Sequence, residues 1–211
     1  MTASTLTPRL AAAVQDDSAG ATGVVRQVVD GLLALPGDHG RLRATADLLV
    51  AELPWCGAMW QVVRAVHAAD PGAALRDLRD RLDLDVQCSV ATAVKLLTER
   101  GCAVRTAPGS GLVARILAEL PPPTRAGVVG LAGVDAVGPA AVLNISGTGD
   151  LARAVPTILV GTSVKLVPAE VFPTLGAAGF ETVPLDLFDT VVLDGEALTP
   201  AEAGRRAAAL Q

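Results

Sequence analysis

The stretch GVVGLAGVDAV, residues 127–137, decides the fold of this chain. Its first six residues are glycine or apolar, which is typical of a strand buried on both faces. Two further apolar runs follow at residues 157–160 and 190–193, and residues 180–183 predict a fourth buried strand. Buried strands of this kind predict a parallel sheet at the centre of the C-terminal half.

Helical stretches are predicted between some of these strands, at residues 150–154 and 171–178, and a last helix starts at Thr199-Pro200 and runs to Leu210. Upstream, residues 102–106 predict a short strand, residues 108–111 a glycine loop and residues 112–120 a helix. Strands that alternate with helices form a sheet covered on both faces. We therefore expect a shortened, doubly wound, mostly parallel α/β sheet over residues 101–211.

The first hundred residues read instead as a helical region. Apolar residues recur at helical spacing in three segments, at residues 24–33, 42–50 and 59–66, which are separated by Pro36-Gly37 and Pro54. After a break at residues 70–72, two more helices are predicted, a charged one at 75–81 and an apolar one at 86–97. Gly101 is a good residue to end the second of them.

The composition excludes several classes of protein. Hydrophobic residues make up 51% of the 211 residues and aromatic residues only 2%, so the core is built from Ala, Val and Leu. The net charge of −5 and the scattered arginines argue against nucleic-acid binding. No apolar run reaches the roughly 20 residues of a membrane helix. Residues 1–10 do not resemble a signal peptide.

Three distant cysteines and two histidines suggest neither a disulfide framework nor a metal site, and no cofactor is indicated. The reducing cytoplasm is the compartment that fits this cysteine usage best. Cys56 and Cys88 lie in helical contexts and are interpreted as core residues. Trp55 and Trp60 are interpreted as anchors of helix packing, or as a partner surface if they are exposed.

Several short motifs of the second half occur in a fixed order. Gly133-Val134-Asp135 ends the buried strand, residues 144–148 (NISGT) open a helix, and Ser163-Val164-Lys165 follows the next strand. The closing strand ends at Asp194-Gly195, and Leu198-Thr199-Pro200 comes behind it.

This order resembles the family that contains the α, β and δ subunits of translation initiation factor 2B and two sugar-phosphate isomerases, which act on methylthioribose 1-phosphate and ribose 1,5-bisphosphate. The family pattern is a Gly-Ala-Asp strand end, an Asn-Lys-x-Gly-Thr helix start, a Lys after the next strand and a Thr-Pro turn. The resemblance covers residues 127–205, with a looser match at residues 17–21. It implies the fold described above and a dimer formed through the C-terminal domain.

The resemblance also implies where isomerase chemistry would lie, and this chain departs from it. The aspartate position is Asp135, but the cysteine position is Ala107, the Arg-Pro arginine is Leu53 and the Asn-Lys lysine is Ile145. Only about ten residues separate Leu117 from Gly127, where the family has a further strand, a helix and an arginine-bearing loop. Part of the phosphate pocket is therefore expected to be missing.

The candidate ligand-binding residues each have a structural alternative. Ser110 and Gly111 precede a helix and could hold a phosphate on free N–H groups, or form an ordinary cap. Asp135 either binds ligand or caps a turn. The others are a predicted anion contact, Lys165, which could equally be a surface lysine, and three residues that open a helix and could simply cap it: Asn144, Gly147 and Thr148.

Three functions remain open from the sequence. The first is a non-catalytic binding or assembly protein, a homodimer or heteromer, that binds a sugar phosphate or a nucleotide. The second is an aldose-1-phosphate isomerase with Asp135 as general base and Cys102 or Ser110 as the acid. The third is a translation factor. In that case the chain is expected to be a scaffold subunit, because it has no nucleotidyltransferase region for exchange activity.

Overall fold

The computed structural model describes residues 6–16, 20–35 and 38–210. The sequence motif at residues 17–19 and the predicted break at Pro36-Gly37 lie outside these ranges. The described part contains eight α-helices and eight β-strands in a mixed α/β arrangement. As the sequence predicts, helices dominate the first half, and a mostly parallel sheet with helices on both faces forms the second.

Four helices make up the first part of the helical half: α1 (Pro8–Val14), α2 (Gly20–Leu33), α3 (His39–Glu52) and α4 (Met59–His67). Thr7 and Asp38 cap α1 and α3 by accepting hydrogen bonds from backbone N–H groups of the first turn. The buried faces of these helices pack into one core, and the three helices predicted at residues 24–33, 42–50 and 59–66 are confirmed.

A single helix, α5 (Pro71–Arg100), replaces the two helices predicted at residues 75–81 and 86–97. The prediction of two helices was wrong because neither glycine nor proline interrupts the stretch between them. Asp70 caps the N-terminus of α5, and Gly101 ends it in the left-handed conformation at φ 63°, as expected. The buried residues of its first half belong to the helical core, and those of its second half pack against the sheet.

The large sheet has five strands in the order β1 (Ala103–Thr106), β2 (Val128–Ala132), β5 (Thr157–Gly161), β7 (Thr190–Leu193) and β8 (Glu196–Leu198). The first four strands are parallel, and β8 pairs antiparallel with β7 at one edge. Helix α5 and helix α6 (Gly111–Glu119) cover one face, and α7 (Thr148–Ala154) and α8 (Pro200–Ala208) pack against the other. This arrangement confirms the predicted fold class.

A second, antiparallel sheet was not predicted. It contains β3 (Ala136–Val137), β4 (Ala141–Ile145) and β6 (Phe180–Pro184). The interpretation of residues 180–183 as a buried strand of the main sheet was therefore wrong, since only Val183 is buried in β6. Asn144 lies within β4 rather than at a helix start, because α7 begins only at Thr148.

The helix predicted at residues 171–178 is reduced to a 3₁₀ turn at Phe172–Thr174. Pro173 and Gly176 explain the failure, since proline lacks the N–H needed to continue a helix and Gly176 adopts a φ of 153°. No described helix is both long and apolar enough to cross a membrane.

The two halves meet where α4 begins. Gly57 donates its N–H to the carbonyl of Asp135 at 3.1 Å, and a Cβ at Gly57 would come within 2.5 Å of Ala136 Cβ. This close approach holds the C-terminal end of β2 against the helical half. The predicted domain division at residue 100 is not tested by these contacts and stays a prediction.

Candidate functional site

One cavity lies between the helical half and the carboxyl ends of the parallel strands, with a volume of about 280 Å³. Ligands of open α/β sheets commonly bind at this end of the strands. Five of the seven sequence-predicted site residues line the cavity, and two do not. The lining predicted residues are Ser110, Gly111, Asp135, Asn144 and Lys165.

The loop after β1 brings the start of α6 into the cavity. Ser110 caps the helix, with its Oγ accepting a hydrogen bond from Val113 N at 3.3 Å. Gly109 has a φ of 83°, a conformation that favours glycine, and the first two residues of α6, Gly111 and Leu112, line the cavity. The N–H groups of Gly111 and Leu112 have no acceptor within the helix, because a helix leaves its first N–H groups unpaired.

The start of α2 faces the same space. Gly20, Ala21 and Thr22 line the cavity, and a Cβ at Gly20 would lie 3.5 Å from the backbone nitrogen of Gly111. The first turns of two helices therefore meet at one wall. Helix N-termini carry partial positive charge and unpaired N–H groups, and their convergence favours an anion at this wall.

Asp135 and Lys165 provide two of the charged side chains of the cavity. Asp135 follows β2 and is half-buried. Burial raises the pKa of its carboxyl to about 6, and the charge of Lys165 partly opposes this rise. Asp16 also lines the cavity and accepts a hydrogen bond from Gln27 Nε2 at 2.8 Å.

Lys165 is buried, with 5% of its surface exposed, so it is not the surface lysine that the sequence also allowed. Its Nζ donates a hydrogen bond to the Val134 carbonyl. Within the described part of the chain, no carboxylate oxygen lies within 4.0 Å of Lys165 Nζ, the distance that defines an ion pair. Burial lowers the pKa of the Lys165 amine, and the fields of Asp135 and Cys56 only partly offset this effect.

Cys56 lies close to this pair and is a core residue, as the sequence predicts. It is fully buried, next to the start of α4, and burial and the field of Asp135 raise the pKa of its thiol to about 12. A thiol with such a pKa is un-ionised at neutral pH and is not an activated nucleophile. It does not line this cavity.

Asn144 and Thr148 bond to each other. Asn144 Nδ2 donates to Thr148 Oγ1 at 2.8 Å, and Thr148 Oγ1 donates to the carbonyl of Ile145 at the same distance. Only Asn144 reaches the cavity; Thr148 is fully buried behind it, and Gly147, at φ 97°, also lies outside the lining. Thr148 and Gly147 thus hold Asn144 and the start of α7 in place.

Two aromatic side chains form a further wall that the sequence did not reveal. Trp55 and Phe180 stack with ring centroids 5.3 Å apart and an interplanar angle of 15°, and both line the cavity. The scarcity of aromatic residues was the one available signal, since two of only five in the chain lie here.

Two of the positions that depart from the isomerase pattern are buried outside the cavity. Ala107 is buried in the core beneath the sheet end, and Leu53 is buried among the helices. Cys102, one candidate for the acid, lies in a separate groove between β1 and residues 120–124, so it does not reach the cavity. Ser110, the other candidate, does reach it. Among the described residues, no three His, Cys, Asp or Glu side chains are grouped to hold a metal ion.

Comparison with known proteins gives a match only at the level of structure. Neither family models nor curated protein sequences match the chain. Among solved structures, translation initiation factor eIF-2B from Pyrococcus horikoshii has a TM-score of 0.70 at 12% identity, with 93% of this chain and 99% of that chain covered.

Two structures from Chaetomium thermophilum are also similar. The tetrameric eIF2B-beta2-delta2 complex has a TM-score of 0.68 at 14% identity, covering 93% of this chain and 92% of that one. The eIF2B beta structure has a TM-score of 0.63 at 13% identity, covering 94% and 90%. The resemblance inferred from the sequence motifs is confirmed at this level: the chain has the α/β fold of the translation initiation factor 2B subunits.

Proposed function

We propose that this protein is a non-catalytic, eIF2B-like binding and assembly protein of the cytoplasm, whose cavity takes a phosphorylated small molecule. The observation that carries the proposal is the convergence of the first turns of α2 and α6 on one cavity that also contains Asn144 and Lys165. This arrangement offers N–H donors to a phosphate and polar side chains to the rest of the ligand.

The charges of the cavity define how a phosphate would bind. Lys165 is the only basic side chain among the described lining residues, and two carboxylates, those of Asp16 and Asp135, line the same space. A phosphate would therefore rely on backbone N–H groups at the helix starts rather than on arginine. The carboxylates suit the hydroxyl groups of a sugar, which donate hydrogen bonds to them.

Both ligand classes predicted from the sequence are compatible with this arrangement. The polar side chains near Asp135 favour a sugar phosphate, whereas the stacked pair of Trp55 and Phe180 offers an aromatic surface to the base of a nucleotide. The volume of about 280 Å³ is small for a ligand pocket, which favours the smaller sugar phosphates.

Assembly is the second part of the proposal. One similar solved structure is a tetrameric complex of two kinds of subunit. We expect this chain to form a homodimer or a heteromer through its C-terminal domain. Sedimentation analysis of the purified protein measures this directly, and a monomer at micromolar concentration without a partner would contradict the homodimer.

Ligand binding is tested with a thermal-shift panel of pentose and triose phosphates, nucleoside monophosphates and the matching unphosphorylated compounds. A phosphate-dependent rise in the unfolding temperature supports the proposal. No shift with any phosphorylated compound would leave assembly as the only function. Trp60→Phe makes Trp55 the single tryptophan, so its fluorescence reports occupation of the cavity itself.

A matched pair of variants tests the role of the helix start. Gly111→Pro removes one backbone N–H at a position where proline suits a helix, and Gly111→Ala keeps that N–H. We expect the proline variant to bind about 10- to 100-fold more weakly, since a hydrogen bond to a charged group contributes roughly 1.5–3 kcal/mol. Equal affinity in the two variants would place the phosphate elsewhere.

Isomerisation of an aldose 1-phosphate remains a second candidate, favoured by Asp135. A carboxyl with a pKa near 6 that faces a cavity can accept and return a proton near neutral pH. Ser110 is the acid candidate that lines the same cavity. Turnover of pentose 1-phosphates by the wild-type protein, abolished in Asp135→Asn, would support this activity; wild-type protein with no turnover would exclude it.

A further inference from the structure

We propose that Lys165 binds the carbonyl carbon of an open-chain phosphorylated aldehyde covalently and reversibly, as an imine. This inference rests on the proposed binding function and narrows its ligand class to open-chain aldose phosphates. Three features of the cavity carry it: a buried amine without an ion-pair partner among the described residues, a carboxyl group beside it, and helix starts placed to hold a phosphate.

The surroundings of the amine favour a nucleophile over a cation. Lys165 lines the cavity with 5% of its surface exposed, and its Nζ donates to the Val134 carbonyl, the single hydrogen bond that it makes to the described residues. A neutral amine can make that donation and still point its lone pair elsewhere, whereas an ammonium would leave two further N–H groups to satisfy. A buried ammonium without a carboxylate in contact is costly, and burial lowers the pKa of this amine accordingly.

The groups around Lys165 are arranged for proton transfer. Asp135 is near enough to act on the amine electrostatically but lies beyond ion-pair distance, and Cys56, which lies close to both, keeps its proton at neutral pH. Because the carboxyl of Asp135 has a pKa of about 6, it can donate a proton to a carbonyl oxygen and recover it later.

The chemistry balances without an oxidant or a reductant. The Nζ lone pair attacks the carbonyl carbon, a C–N bond forms, and the carbonyl oxygen takes a proton to give a carbinolamine. Loss of the hydroxyl as water, with the second amine proton leaving nitrogen, gives the C=N bond. Water reverses the sequence, so the ligand is held and released unchanged.

The phosphate end of such a ligand is placed by the same cavity. Ser110 packs so close to Gly133 that a Cβ there would lie 2.4 Å from Ser110 Oγ, so the start of α6 adjoins the segment that carries Val134 and Asp135. A short aldehyde with a phosphate can therefore reach both the helix start and the amine. Ligands without a carbonyl can occupy the phosphate position only.

The lysine content of the chain makes the test direct. The chain contains only two lysines, the buried Lys165 and the exposed Lys95 on α5. We incubate the full-length protein at pH 7 with glycolaldehyde phosphate and cyanoborohydride, which reduces an imine to a stable amine, and map the labelled peptides. We expect Lys165 to be labelled at least about tenfold more than Lys95, which lies outside the cavity and has no helix start beside it to hold the phosphate.

Controls separate this inference from the proposed function. 2-Hydroxyethyl phosphate has no carbonyl and should protect Lys165 from labelling by occupying the phosphate position. Lys165→Met should lose the label, and Lys95→Arg, a change outside the cavity, should keep it. If Lys165→Met does not fold, peptide mapping of the wild-type protein and the protection experiment still decide whether Lys165 forms the imine.

Three results would overturn the proposal. If 2-hydroxyethyl phosphate binds but Lys165 is labelled no more than Lys95, the imine is wrong and the binding function stands. If neither compound binds and no label appears, both fail. Labelling of Lys165 that unphosphorylated glycolaldehyde produces equally well would also contradict it, because the phosphate would then contribute nothing.

Discussion

The two sheets of this protein differ in how far their sequences reveal them. The three central strands of the large sheet, β2, β5 and β7, are continuous apolar runs, and every residue of β5 is buried. The strands of the small sheet are shorter or more exposed. Strand β3 has only two residues, and β6 has five residues of which one is buried. A strand covered on both faces carries its signal in its own residues, whereas a strand covered on one face depends on its partners.

The largest effect should come from removing equal side chains from the two sheets. Leu159 in β5 is fully buried at the centre of the large sheet, and Leu143 in β4 is 3% exposed in the small one. We expect Leu159→Ala to lower the free energy of unfolding by about 4 kcal/mol and Leu143→Ala by about 2–3 kcal/mol, because the small sheet can relax around the cavity left behind. Urea denaturation of both variants measures the difference, and a larger loss for Leu143→Ala would contradict the comparison.

The next effect tests how the small sheet and Asp135 depend on the helical half. Gly57→Ala places a methyl group within 2.5 Å of Ala136 Cβ and 3.2 Å of the Asp135 carbonyl, so β3 and Asp135 must move. We expect a loss of about 1–3 kcal/mol in unfolding free energy and weaker ligand binding. Gly40→Ala, where a Cβ would meet only the Asp38 side chain at 3.3 Å, is the matched control and should leave binding unchanged.

A smaller, pH-dependent effect should distinguish Asp135 from the ordinary carboxylates of the surface. Its folded pKa of about 6 exceeds the unfolded value near 3.9, so between these pH values the folded protein holds the extra proton and stability falls as pH rises. Asp135→Asn removes that loss. Its unfolding free energy relative to wild type should therefore increase by up to about 3 kcal/mol between pH 4 and 7.

Thermal unfolding of both proteins across that range gives the difference. A constant offset between them would show that the carboxyl of Asp135 titrates like an exposed one. Because Lys165 lies beside Asp135, the Lys165→Met variant should be measured in parallel; if Lys165 is neutral in the folded protein, its removal leaves the Asp135 transition near the same pH.

The smallest effect concerns a charged contact beside the large sheet, which the apolar patterns of the strands do not predict. Arg100 at the end of α5 hydrogen-bonds to Asp189 just before β7, and this contact lowers the pKa of the Asp189 carboxyl. Both side chains are substantially exposed, so we expect Arg100→Gln to cost about 0.2–1 kcal/mol and the loss to shrink in high salt. An undiminished loss in 1 M salt would indicate packing rather than charge.

The sequence predicts the fold and part of the site for physical reasons visible in single residues. The four parallel strands of the large sheet and the glycine loop around Ser110 have local signals and lie where they were expected, whereas the edge strand β8 was not predicted. The environment of Lys165 had no such signal, because a lysine is buried only through contacts made by distant segments. The stacking of Trp55 with Phe180 likewise joins residues 125 positions apart.

The boundaries between elements failed where tertiary contacts decide. Asn144 has the side chain of a helix cap, yet pairing of β4 with β6 holds it in a strand and leaves the helix to begin at Thr148. Residues 171–178 contain enough apolar residues for a helix, but the extended chain around Gly176 instead bonds to the Pro54 carbonyl.

Helix α5 has a consequence for how the molecule unfolds. Its thirty residues extend about 45 Å, and its two halves belong to different hydrophobic cores. Neither core can unfold without exposing apolar residues of α5 to water. The helical half and the sheet half of the protein should therefore unfold in one cooperative transition. In a fragment that ends at residue 100, the apolar residues in the second half of α5 would have lost the sheet that covers them. We expect the two fragments to aggregate rather than to fold separately.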